Sequence, residues 1–203
     1  MKRAWLELGL VVLTGAAHLL FENVLDQKTP FIAGAAMFWT VYILWRLFRP
    51  GQAREWGMRL DTWRPAAAAH LILFVAASAG MVGYGISQGR PYPTIGFFYL
   101  LWLYPIWGFI QQFLLCALVC RNLREATGRA WAAVVGSSLL FGIAHAPDWT
   151  LCALTAAAGV AWTALYLRWP NLWIQAIAHG WLGALAYYYV LGRDPWSELM
   201  RTL

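Results

Sequence analysis

The sequence predicts an all-α, polytopic integral membrane helix bundle of about seven spans plus a short re-entrant or broken helix. Three observations lead there. Hydrophobic residues are 61% of the 203 and charged ones 12%, where a soluble domain has about half and a quarter. There are 14 Trp residues, and Trp favours the membrane–water interface. The apolar residues also fall into stretches near the roughly 20 residues that a helix needs to cross hydrocarbon. A chain of this length forms one membrane domain, 1–203.

The stretches lie at 4–25, 30–48, 65–87, 95–122, 130–146, 150–168 and 171–191. The first follows Met1, Lys2 and Arg3 as a signal peptide would, but it is too long and contains Glu7, so it is expected to remain as a span. The fourth carries Pro105. Residues 93–126 are too few for two full spans with a turn, so a re-entrant or tilted piece ahead of one span is expected. Segment 49–64 mixes Arg54, Trp56, Met58, Leu60 and Trp63 with charges. It predicts an amphipathic stretch on the inner surface. Ala66–Ala69 and Ala156–Gly159 offer small residues for close helix packing.

Basic residues set the orientation. With the N-terminus inside, inner segments hold Lys2, Arg3, Arg46, Arg49, Arg54, Arg59, Arg64, Arg121, Arg124, Arg129 and Arg168. Outer segments hold Lys28, Arg90, Arg193 and Arg201. Eleven against four of the 15 basic residues is the bias of the positive-inside rule. It predicts a cytoplasmic N-terminus, and small size is compatible with a bacterial inner membrane. Trp45, Trp131, Trp169 and Trp173 then fall near the inner boundary, and Trp107 and Trp149 near the outer one. The net charge of +6 is scattered rather than gathered on a face, so no nucleic-acid partner is expected. Membrane lipids are. Cys116, Cys120 and Cys152 lack metal or redox spacing and read as buried small residues. Neither a cofactor nor a metal is expected.

Polar side chains inside membrane helices need a partner or a cavity and mark functional candidates. Gln111 and Gln112 are adjacent in the fourth span, so their amides project about 100° apart. His145 closes the fifth span, just before Pro147. His179 lies mid-membrane in the seventh, between small residues. In the first span His18, Glu22 and Asp26 recur every four residues, with Glu22 in the outer half. Pairing of Glu22 with His18 and a displaced functional carboxylate are both open readings. His70 reads as structural. Asp148 could orient His145, but reads first as a residue of the outer loop.

Taken in order, these residues resemble the CAAX-prenyl-protease and bacteriocin-processing (CPBP, Abi) family of intramembrane endopeptidases. The family pattern is Glu-Glu-x-x-x-Arg, Phe-x-x-x-His and His-x-x-x-Asn. Phe141 and His145 match the second motif, His179 begins the third, and the likeness covers about 95–190. Gln111 and Gln112 stand where the family has two Glu, Cys116 where it has Arg, and Gly183 where it has Asn. The resemblance implies a Glu-activated water, assisted by His, acting on a membrane-associated peptide or protein. An amide cannot be that base, and Gln is a poor zinc ligand. Loss of the Arg along with the carboxylates is electrostatically coherent, because an unpaired buried Arg is costly. Two readings follow. One is an active endopeptidase with a rebuilt site using Gln111, Gln112, His145, His179 and Glu22. The other is a catalytically dead relative that binds a membrane peptide, lipid-linked group or partner protein. The cavity is expected among the fourth, fifth and seventh spans.

Overall fold

The computed structural model describes residues 2–90 and 93–202; Met1 of the signal-like start lies outside them. The described residues form helices α1 (Lys2–Asn23), α2 (Lys28–Leu47), α3 (Gln52–Glu55), α4 (Trp63–Ser87) and α5 (Ile95–Gln112). A π-helical segment, π1 (Phe113–Cys120), continues α5 directly into α6 (Arg121–Thr127). Then come α7 (Ala130–Ile143), α8 (Trp149–Arg168), α9 (Leu172–Leu185), its π-helical extension π2 (Ala186–Leu191) and α10 (Pro195–Thr202). Seven helical runs therefore occupy the seven predicted stretches. Five of them are long and apolar enough to cross a membrane; α7 is a shorter apolar helix.

Contacts between the connecting segments sort the runs into an alternating bundle. At one end Asn122 donates to Glu7 at 3.0 Å, Leu172 N–H to the Gly57 carbonyl at 2.9 Å, and Asn171 to the Arg59 carbonyl at 2.8 Å. This end gathers the start of α1, the end of α2, loop 48–62, α6 and the α8–α9 turn. At the other end Asn23 reaches the Ala146 carbonyl at 3.3 Å, Arg193 pairs with Asp148 at 2.8 Å, and Arg90 reaches the Val190 carbonyl at 3.4 Å. The first end is the arginine-rich one.

Burial separates core from lipid face. Only 6% of the apolar window of α1 and 11% of that of α4 are buried, against 56% for the run Ile95–Thr127. That run is the axis of the molecule. Phe113, Cys116, Ala117, Leu118 and Cys120 are fully inaccessible, and α9 packs along α5. The closest approach is at Gly180, where an added Cβ would sit 2.5 Å from Pro105 N, and at Gly108, where it would sit 2.9 Å from the Ala176 carbonyl oxygen. Small residues permit such backbone proximity in membrane bundles. Ala156 and Gly159 serve α8 in the same way against Gly142 and Ser138 of α7.

Four expectations are corrected. Pro105 does not break the fourth run: it sits inside α5, and 95–127 is one unbroken helical run rather than a re-entrant piece and a span. A proline lacks the N–H that would bond the carbonyl four residues earlier. Here that carbonyl, on Leu101, accepts instead from the Trp181 indole N–H of α9 at 2.9 Å. A neighbouring helix thus satisfies the group that proline orphans, as membrane helices allow. Segment 49–64, expected as an amphipathic stretch on the inner surface, does not lie wholly on that surface. Between α2 and α4 its one helix is the four-residue α3, and Trp56 is wholly buried with its ring 4.8 Å from Phe113. Asp26 does not extend the His18–Glu22 face, because it lies beyond the end of α1 at φ +52°. The fourth correction, to the cavity, is given with the site.

Glu7 is the polar residue in the first span that the sequence undervalued. It is 4% exposed and bonds Arg46 at 2.7 Å, Tyr42 at 2.6 Å and Asn122 at 3.0 Å. Arg46 also bonds Gln52 and lies 5.1 Å over the Trp56 ring. The cluster ties α1, α2 and α3 to α6. Removing one partner of such a buried pair costs about 3–5 kcal/mol, because it strands the other charge.

Candidate functional site

The polar positions picked from the sequence divide into two neighbouring groups. The first is a clasp between the fourth and seventh runs. Gln112, fully buried at the end of α5, points its amide nitrogen at His179 Nδ1 across 2.6 Å. The ring then accepts at Nδ1 and carries its proton on Nε2. Cys116, one turn on in π1, donates its thiol to Gln112 Oε1 at 3.3 Å. Both ends of the Gln112 amide are occupied. His179 lies parallel to Trp162 at 6.1 Å, and Trp162 also stacks on His70 at 5.8 Å. His70 itself bonds the Ala66 carbonyl at 2.7 Å.

The second group faces a cavity of about 290 Å³. Its walls come from α1, α2, α5, π1 and α7 with the linker that follows it, and include His18, Trp107, Gln111, Phe141 and His145. No residue of α9 lines it. The expected cavity among the fourth, fifth and seventh spans is therefore displaced: α1 and α2 take the place of the seventh. The reason is the close α5–α9 packing at Gly108 and Gly180, which leaves no gap on that side. The adjacent amides of Gln111 and Gln112 diverge as the helix geometry requires, one to the cavity and one to the clasp. Among the described residues the Gln111 side chain makes no hydrogen bond.

Phe141 joins the two groups, with its ring 5.1 Å from His145 and 5.8 Å from His179. His145 follows the last turn of α7 and bonds the Phe141 carbonyl through Nδ1 at 2.8 Å, so its Nε2 is the free acceptor. The π-helical turn begins directly after the Gln pair; such turns recur at functional sites. Asp148 does not orient His145. Its carboxylate accepts from Leu151 N–H at 3.0 Å, capping α8, and stands 2.8 Å from Arg193. The Leu151 N–H, with Arg193 beside it, holds its carboxyl below the usual range. Glu22 does not line the cavity. It bonds His18 Nε2 at 2.9 Å and pairs with Lys28, and it is His18 that reaches the cavity.

Sequence reasoning had weighed His18 only as a partner of Glu22. It also passed over Gln175, fully buried in α9 and donating to the Trp162 carbonyl at 2.6 Å. The rule that found Gln112 applied equally to Gln175 and Glu7. Among the described residues no group of three or more His, Cys, Asp or Glu could hold a metal ion. With His179 Nδ1 engaged by an amide, the residues present do not fit a zinc site.

The model of one family, described as type II CAAX prenyl endopeptidase Rce1-like, matches residues 93–185. This stretch of the chain is similar to that family. It is the CAAX-protease (CPBP) family that the motifs resemble, and the match spans Gln111, Gln112, Phe141, His145, His179 and Gly183. No curated protein and no solved structure matches the chain. The matched segment therefore supplies α5, π1 and α6–α9, while α1 and α2 close the cavity from outside it. At Gly183 the third motif lacks its Asn, yet a Cβ there would meet nothing nearer than Tyr104 at 3.7 Å and His179 at 3.9 Å. A Cβ therefore fits at this position without a clash.

Proposed function

We propose that this chain is a CAAX-type intramembrane endopeptidase-like protein that draws an apolar segment of a membrane-associated peptide into the cavity between α1, α2, α5 and α7. The observation that carries the reading is that Gln111 and His145, both within the family match, face that cavity together. The apolar walls would hold the peptide's hydrophobic part. Gln111 would donate to its carbonyl oxygen, as oxyanion-stabilising donors do, and His145 Nε2 would accept from its amide or from water. Gln112, His179 and Cys116 set the spacing of α5 and α9 behind them. By the positive-inside rule we place the arginine-rich end in the cytoplasm, in keeping with a bacterial inner membrane. The cavity polar groups then lie toward the opposite leaflet.

A second reading, a non-hydrolysing relative that binds such a peptide, is favoured by one observation: the buried amide of Gln112 replaces a carboxylate. Both readings share the cavity and part on cleavage. The test of the cavity uses a photo-crosslinkable farnesylated peptide ending in a CAAX sequence, with the purified full chain in vesicles. Crosslinks are expected on α1, α5 and α7. Gly15 lines the cavity, and an added Cβ there meets nothing within 4 Å, so Gly15→Phe should fill the space and reduce crosslinking at least 10-fold without unfolding the helix. Unchanged labelling in Gly15→Phe would remove this cavity as the peptide site.

A further inference from the structure

With the family's carboxylate pair replaced by amides, an active site here needs a base from elsewhere, and the cavity wall offers few candidates. Gln111 has no titratable group. His179 is outside the lining, with Nδ1 held by Gln112. His145 lines the cavity, but Asp148, three residues on, is committed to the α8 cap and Arg193. His18 differs from all of these. It lines the same cavity from α1, and Glu22, one turn on, holds its Nε2 at 2.9 Å. Lys28 in turn anchors Glu22. Phe31 covers the imidazole with ring centres 5.7 Å apart, and Phe21 stacks on Phe31 at 5.1 Å.

We infer that His18, oriented by Glu22, is the general base of this cavity. A carboxylate on one ring nitrogen fixes the tautomer, with the proton on Nε2 facing Glu22, and leaves the other nitrogen as the acceptor. It also stabilises the imidazolium formed when that nitrogen takes a proton, the logic of nucleophile–base–orienter sites. The inference rests on the endopeptidase-like reading above and names the group that would supply its missing step. His18 Nδ1 takes a proton from a cavity water as the water oxygen bonds to the peptide carbonyl carbon. The carbonyl oxygen becomes an oxyanion that accepts from the Gln111 amide. The imidazolium then returns its proton to the leaving nitrogen as the C–N bond breaks. One water is consumed, and a carboxylic acid and an amine leave. Glu22 touches neither substrate nor water and is a positioning residue. The base thus comes from the first span, outside the family-matched segment, which offers a physical reason why α1 carries a His–Glu pair.

The experiment measures cleavage and crosslinking of the farnesylated CAAX peptide in parallel, using the purified full chain in vesicles. His18→Ala is expected to lower kcat by about 10²–10⁴-fold, the span of general acid–base catalysis, with crosslinking within about 3-fold of wild type. His18→Gln, which keeps a polar side chain against Glu22, should behave alike and serves if the Ala variant does not fold. Glu22→Gln should lower kcat by about 10-fold and move the acid limb of the pH–kcat profile to lower pH. The sign follows from charge: losing the carboxylate disfavours the imidazolium, and Lys28, then unpaired, pushes the same way. Glu22→Asp should restore part of both. The other titratable group facing His18 across the cavity is His145, and His145→Gln should leave that Glu22-dependent shift in place. A purely structural His18–Glu22 pair would not move the limb. Undiminished cleavage in both His18 variants, or an acid limb unmoved by Glu22→Gln, would overturn the inference and leave the endopeptidase-like reading standing. Crosslinking without cleavage by wild type would overturn the inference and select the binding reading. Absence of both would remove the peptide reading as well.

Discussion

Replacing Trp181 by Phe tests how a proline is carried inside the longest helix of the bundle. The substitution keeps an aromatic ring against Phe74, now 5.8 Å from the indole, and deletes the N–H that bonds the Leu101 carbonyl at 2.9 Å. Pro105 provides no donor for that carbonyl, so Trp181→Phe leaves it without a partner in hydrocarbon. Interhelical hydrogen bonds in membrane proteins average about 0.6 kcal/mol and reach about 1.7 kcal/mol. An acceptor left unsatisfied costs about 1–3 kcal/mol. A loss of about 1–2 kcal/mol is expected. In a Pro105→Ala background residue 105 regains its N–H, the helix bonds Leu101 itself, and Trp181→Phe should cost only the lost ring contacts. The double-mutant cycle should thus show a coupling of about 1 kcal/mol. It is read by reversible unfolding of the four proteins in mixed micelles at increasing denaturing detergent. Equal costs of Trp181→Phe in the two backgrounds would refute the account of why α5 stays whole.

Two further outcomes follow from local geometry. Gly180→Ala drives a Cβ to within 2.5 Å of Pro105 N and 2.7 Å of the Tyr104 carbonyl carbon, both backbone, so it should cost about 1–3 kcal/mol or more through overpacking; Gly183→Ala, with nothing nearer than 3.7 Å, should be close to neutral in the same unfolding assay. Asp148→Ala should cost about 1 kcal/mol, the worth of a helix N-cap. Because the folded carboxyl of Asp148 lies below its usual range, its ionic contribution is full above about pH 4 and is lost as pH falls through the lower folded value. The stability gap between wild type and Asp148→Asn, which keeps a capping oxygen, should therefore close on acidification and persist at neutral pH.

The candidate site was legible in its residue types more than in its arrangement. Gln111, Gln112, His145 and His179 stood out because amides and imidazoles are costly among apolar neighbours, and that criterion works on a string of letters. It could not say that Gln112 would spend both ends of its amide on His179 and Cys116, while its neighbour looked the other way into a cavity. It was also applied unevenly. Glu7 sits near a helix start, where a carboxylate is usually solvated, and only the arrival of Arg46, Tyr42 and Asn122 from distant segments buries it. Trp56 misled for the opposite reason: a Trp among charges reads as part of an amphipathic surface stretch until the loop folds it against Phe113.

By itself the sequence determined the solvent, the number and positions of the helical runs, and the family that residues 93–185 resemble. Each of these depends on composition, on apolar length or on motif spacing along the chain. The tertiary structure decided the rest. It kept α5 whole across Pro105, because a donor came from another helix. It moved the cavity to the α1–α2 side, because α9 lies too close to α5 for a gap. It placed His18 on the cavity wall with Glu22 behind it. These depend on which atoms meet across space, and no local pattern along one helix contains the neighbour that satisfies or blocks it.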